Sequence, residues 1–274
     1  MKKFKFIVPW AVLSLLLAVL LGLQALAARR SVLLAGQAQG VHIAWDEAQT
    51  GKGAHGELVV AGQAVPWYRL SEYGPLFAEE LALYPEGLLC QRGLKDIFLA
   101  KDLVDDKGLK IGGMGWGEHA LFLSAESSQS SRRASAIAIH HEIFHTLDHW
   151  GHAHDKEWEG ASKYVGVPGL LAPWDGQASA HGFIDHYSQT CPGEDKAQVY
   201  AYLMVRYRSL DLLAGSDPQL TRKVLLMKKR LAELNKGFDG AFWRKLGDRP
   251  LAGAEWAWEE EGERIALEPP KAAL

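Results

Sequence analysis

The run AIAIHHEIFHTLDHW, from Ala136 to Trp150, sets four histidines, a glutamate and an aspartate among aliphatic and aromatic neighbours. Its apolar residues recur at helical spacing, and the ESSQSS that precedes them offers several hydroxyl N-caps. On a helix, His141 and His145 stand one turn apart on the same face. Two imidazoles so placed grip one Zn2+ at ~2.0–2.1 Å each. Glu142 leaves the helix about 100° round from His141, so it can reach a water at the ion without becoming a ligand. That water, its pKa lowered by the metal toward ~7, is a usable nucleophile once Glu142 takes its proton. Neutral imidazoles buried among isoleucines need partners, and a metal supplies one.

A catalytic zinc takes three protein ligands and keeps one position open. One zinc-peptidase pattern wants Gly three residues after the second His and a further His at the sixth. Asp148 and Gly151 hold those places, and His152 and His154 come too late. The other option is a Glu from a later helix. The segment HGFIDHYSQTCPGEDKAQVYAYL puts Glu194 and Asp195 at the start of such a helix, with Tyr187 seven residues earlier. Asp195 is a fallback ligand, read more simply as a first-turn carboxylate facing the helix dipole.

This segment resembles the corresponding part of the anthrax lethal factor-like peptidases and the related zinc-binding metallopeptidases of bacteria. In that group a Tyr-x6-Glu pattern leads into a helix that commonly reads (E/D)-x-A-E-x-F. YSQTCPGEDKAQVY matches at Tyr187, Glu194, Ala197 and loosely Tyr200, and LALYPEGLLCQRGLKDIFLAKDL resembles the lead-in to the catalytic domain. The likeness covers roughly residues 70 to 240. It implies an HExxH gluzincin with Glu194 as third zinc ligand and Tyr187 donating to the oxyanion of the tetrahedral intermediate. A donor aimed where charge develops is worth ~3–4 kcal/mol. The chain departs from the group at Gln198, where a second Glu is usual; the amide keeps hydrogen-bonding capacity and loses charge, which weakens the orientation of a ligand.

Other polar residues have plainer readings beside functional ones. His140 points away from the His141/His145 face, toward packing or the surface. Asp148 either holds a ligand imidazole N–H or is a solvated carboxylate at the helix end. His149, His152 and His154 cluster at the helix exit as surface residues or a weak second metal site. His181 and His186 lie near Tyr187 and could assist the oxyanion. Trp158 and Trp174 brace the long loop of residues 151–193, and the strand around Phe122 is a candidate edge for an extended substrate. Cys90 and Cys191 give either one disulfide or two unpaired thiols.

The N-terminus is basic, then apolar, then small: MKKFKF, IVPWAVLSLLLAVLLGLQALAA, and an Ala25-x-Ala27 cleavage pattern. That order is a secretory signal peptide, although its length approaches the ~20 residues that span a bilayer. Residues 1–28 are thus a signal peptide or an N-terminal anchor, with a membrane tether through residues 7–28 in the second case. The body is secreted or periplasmic in the first. Residues 29–67 form an N-terminal extension without an assigned role, 68–250 a zinc metallopeptidase domain, and 251–274 a flexible tail. Net charge is −3 among 274 residues, so no basic field points to nucleic acid.

The expected fold is α+β and zincin-like: a small antiparallel or mixed sheet, the HExxH helix and C-terminal helices. The expected activity is zinc-dependent hydrolysis of peptide bonds in a protein or peptide substrate outside the cytosol, with one Zn2+. The alternatives are a catalytically inactive, zinc-stabilised binding protein on the same scaffold, and a structural envelope protein carrying the motif by chance.

Overall fold

A computed structural model describes residues 10–52, 58–116, 119–125, 132–150, 155–160, 162–164, 181–247 and 249. The tail from 251, His152, His154, Trp174 and the residues expected to cap the HExxH helix lie outside that set.

Helix α1 spans Trp10–Gln39. No proline interrupts it, and it stops at Gly40, whose φ of 67° is the left-handed geometry that ends helices. It is long and apolar enough to cross a membrane by length and composition. Its Leu13, Leu16 and Leu23 are exposed, whereas Ala28 and Val32 are buried. They are covered by α2, Trp67–Leu81, at Gly74, where a Cβ would lie 3.0 Å from Val32. Residues 29–39, expected within an N-terminal extension without an assigned role, therefore continue the helix. An apolar periodic run reads alike whether lipid or protein covers it.

Six strands make one mixed sheet in the order β2-β3-β4-β6-β5, with β1 also paired to β4. They are β1 His42–Ala44, β2 Gln49–Lys52, β3 Leu58–Gln63, β4 Asp96–Asp105, β5 Gly113–Trp116 and β6 Ala120–Ser124. The long strand β4 carries different neighbours on its two halves. Its first half takes β1 in parallel, His42 opposite Asp96, and its second half takes β3 antiparallel, Val60 opposite Asp105. Between them the β3–β4 register shifts and Asp102 adopts φ 50°, a bulge that bends a strand. Strands from residues 42–63 are thus integral to the sheet rather than an appendage. On its other side β4 pairs β6 in parallel, and β6 pairs β5 antiparallel. Phe122 therefore sits on an internal strand, and the edge at this end is β5.

The remaining helices are α3 Leu88–Gln91, α4 Arg132–Leu147, α5 Lys156–Glu159, α6 Pro192–Val205, α7 Tyr207–Ser216, α8 Pro218–Leu234 and α9 Gly240–Gly247. The apolar pattern after residue 193, continuous in the sequence, breaks into α6 and α7 at Arg206 (φ −128°, ψ 41°). The main core holds Phe77 and Leu81 of α2, Ile97 and Leu99 of β4, Leu121 and Leu123 of β6, Ile139 and Phe144 of α4, Tyr200 of α6 and Met227 of α8. A smaller cluster of Val60, Ala100, Leu103 and Phe122 sits on the other face of the sheet strands. Helix α4 lies between the sheet and α6 and buries most of its circumference, the polar Arg133, His140, His141 and Thr146 included. The architecture is α+β with a small mixed sheet. Cys90 is exposed, Cys191 half-buried, and both thiols are free.

Candidate metal centre

Helix α4 carries His141, Glu142 and His145 past the inner face of β5. Glu194 arrives from the first turn of α6, whose start is set by Pro192 at the first helical positions after an extended Cys191. A single 3-10 turn, Tyr187–Gln189, comes just before. Glu194 Oε2 lies 2.9 Å from His141 Nε2 and 3.5 Å from His145 Nε2, and the two imidazole nitrogens are 3.2 Å apart. Two ligands at ~2.0–2.1 Å from one zinc with a tetrahedral angle between them are about 3.3 Å apart. Side-chain chemistry and spacing both fit one small ion coordinated by these three groups.

Electrostatics agree with the geometry. Burial acts to lower the His141 pKa, but the Glu194 carboxylate overrides it and lifts the value to about 9. Burial acts to raise Glu194, but hydrogen bonds from His141 and His145 hold its carboxyl well below the usual range. A divalent cation at this point would meet a ligand atom from each of His141, His145 and Glu194.

Glu142 is one helix position from His141. Burial raises its pKa, opposed by the charges of His141 and His145 and by the Gly115 backbone N–H. Strand β5 admits this side chain only because it is bare on that side. A Cβ on Gly113 would fall 2.4 Å from Glu142 Cγ, and one on Gly115 would fall 3.4 Å from His145 Cβ. The Tyr187 ring centroid is 5.7 Å from that of His141. Burial, with the Glu194 and Glu142 carboxylates nearby, pushes its phenol far up, so the hydroxyl keeps its proton.

Gln198, one turn after Glu194 on α6, accepts from His141 Nδ1 at 2.9 Å and donates from its own amide to Asp185 Oδ2. Asp185 was not singled out in the sequence; its signal is the Asp185-x-x-Ser188 spacing ahead of a turn, a local cap. The alternating glycines of β5 are the corresponding signal for close backbone approach.

The remaining candidates sort plainly. His140 is fully buried, bonded to Tyr84 Oη at 2.6 Å and to Glu80 Oε2 at 2.9 Å. Asp148 is not solvated: it pairs with the buried Lys196 Nζ at 2.6 Å and accepts from the Trp150 N–H. Asp195 is buried away from solvent and held at 2.7 Å by each of Trp158 Nε1, Tyr164 Oη and Lys223 Nζ. Trp158 thus braces the segment after α4 through that carboxylate. His149 is exposed and leans on Trp150, ring centroids 4.2 Å apart and planes tilted by 35°. His181 is exposed and stands 3.6 Å from Asp217 at the head of α8, and His186 is half-buried ahead of the 3-10 turn.

The fold and site together define an α+β protein in which a largely buried helix presents two histidines to a carboxylate from a second helix. Among solved structures the chain is similar to one described as a "putative zinc-binding metallo-peptidase" from Bacteroides caccae, at 17% identity and a TM-score of 0.47, covering 82% of this chain and 95% of that one. No family model matches the chain, and no curated protein does.

Proposed function

We propose that this chain is a zinc-dependent metallopeptidase of the gluzincin type that hydrolyses peptide bonds of a protein or peptide substrate outside the cytosol. His141, His145 and Glu194 would hold one Zn2+, which supplies Lewis acidity toward the scissile carbonyl and its attacking water. The observation that carries this reading is the triangle of 2.9, 3.2 and 3.5 Å between their donor atoms.

Glu142 is the base. A carboxyl whose pKa is raised by burial takes a proton more readily than a solvated one, and it hands that proton to the leaving amine. Tyr187 keeps its hydroxyl hydrogen and donates it to the oxyanion. The outer side of β5, unpaired among the described strands, runs past Glu142 and offers backbone groups to an extended substrate. Residues 1–28 bring the body to its compartment, as a removed leader or as a tether through residues 7–28. A zinc-stabilised binding protein without activity has no physical need of Glu142 or Tyr187.

Metal analysis of the purified chain, with wild type and Glu142→Gln compared in a general peptidase assay, tests the reading. One zinc per chain in both, and hydrolysis only in wild type, is expected. Zinc without hydrolysis in either removes the enzyme; absence of zinc removes the site.

A further inference from the structure

A histidine that binds a metal through Nε2 must present a lone pair there, so its ring proton belongs on Nδ1. Whether it stays there depends on what Nδ1 faces. In this chain Nδ1 of His141 faces Gln198, whose amide has an acceptor end and a donor end of nearly equal size. Turned one way, Gln198 accepts the Nδ1 proton. Turned the other way, it donates to Nδ1 and drives the proton to Nε2, where it blocks ligation. The glutamine alone does not choose.

Asp185 makes the choice. It is fully buried, and its Oδ2 accepts from the Gln198 amide nitrogen while its Oδ1 accepts from the Ser188 N–H at 2.8 Å. Burial raises the Asp185 pKa and the hydrogen bonds from Ser188 and Gln198 oppose it. The ionised carboxylate donates nothing, so the amide oxygen cannot face it without setting two acceptors together in a dry site. We infer that Asp185, acting through Gln198, is a positioning residue that fixes His141 with Nδ1–H toward the amide and Nε2 open to the metal. The relay spans three side chains on three pieces of chain: Asp185 before the 3-10 turn, Gln198 on α6 and His141 on α4. The inference rests on the proposed metal site.

Asp185→Asn is the informative change, because asparagine keeps an acceptor for the Ser188 N–H and so preserves the turn. Its new amide donor lets Gln198 reverse. Zinc affinity of the full chain, measured by competition with a chromophoric chelator, should fall about 10- to 100-fold, the cost typical of losing an outer partner of a ligand histidine. Gln198→Leu should fall by a similar factor. The reciprocal pair Asp185→Asn with Gln198→Glu puts the carboxylate directly on His141 Nδ1 with an amide donating to it from behind, and should restore affinity to within a few-fold of wild type. Thermal midpoints of the metal-free forms report folding separately.

Wild-type affinity in a folded Asp185→Asn variant, or a folded exchanged pair that stays weak, overturns the relay and leaves the metal site standing. If a single variant fails to fold, the exchanged pair against wild type decides by the same criterion. No zinc in wild type removes both the site and the relay.

Discussion

Gly113 of β5 and Glu142 of α4 are packed so closely that a methyl group on the glycine would lie 2.4 Å from Glu142 Cγ. The same methyl would lie 2.9 Å from the Phe122 carbonyl oxygen, which belongs to the paired strand β6 and cannot swing aside. Gly113→Ala must therefore move the strand or Glu142. A misplacement of about 1 Å at a reacting group costs ~100-fold, and overpacking costs about 1–3 kcal/mol. The expected variant is folded, binds one zinc per chain and hydrolyses at least ten-fold more slowly. Metal content and turnover measured on one preparation check it; full activity would show that Glu142 does not work from the observed position.

Metal removal should register in stability as well as in activity. A ligand that binds only the folded state stabilises it by about 2.7 kcal/mol at a free concentration of 100 times Kd. Thermal unfolding with zinc, and again after chelation, should show a lower midpoint without metal, while His141→Ala should be indifferent to both additions. Equal shifts in wild type and variant would place the bound zinc elsewhere in the chain.

How far the sequence disclosed these features follows from the range of each interaction. His141, Glu142 and His145 share one turn of one helix, so spacing alone sets them together. Glu194 is 49 positions beyond His145 and was reached through the pattern beginning at Tyr187, since nothing local requires α6 to cross α4 where it does. The sequence marks the strand of Phe122 as the edge whereas the edge is β5, because strand order depends on pairings among distant segments. Lys196 and Lys223 are fully buried, against the habit of lysine, because each meets an aspartate side chain, Asp148 and Asp195, whose burial depends on distant segments and not on local pattern. His140 gave no sign that Glu80 and Tyr84, some sixty positions earlier, would enclose it.

That enclosure makes stability depend on acid. Glu80 is buried, which acts to raise its pKa, but His140 and the Arg249 guanidinium, at 2.7 and 3.0 Å, bring it down to about 2. A carboxyl depressed in the folded state stabilises fully above its unfolded pKa, near 4.5, and loses that contribution as pH falls toward about 2. Difference in unfolding free energy between wild type and Glu80→Gln should therefore be about 3 kcal/mol at neutral pH and shrink across that window. Urea unfolding of both at several pH values measures it. A difference independent of pH would mean that Glu80 contributes by packing and not by charge.

The ion pair of Asp195 and Lys223 gives the sharpest separation between breaking a contact and replacing it. Both side chains are wholly buried, 2.7 Å apart, and Lys223 also lies 4.1 Å from the Phe183 ring centroid and donates to the Gly182 carbonyl. Removing one partner strands the other charge in a dry interior, at a cost of about 3–5 kcal/mol. Lys223→Met keeps the length of the stem and its contact with Phe183 while deleting the ammonium, so nearly all of its loss should come from the unpaired Asp195. Adding Asp195→Asn removes that charge and leaves an acceptor oxygen for the Trp158 and Tyr164 donors, so the double variant should regain most of the loss. Chemical denaturation of the four members of this cycle measures the coupling. Additive losses would mean that each residue acts through its other neighbours, Asp195 through Trp158 and Tyr164 and Lys223 through Gly182 and Phe183, and not through the pair.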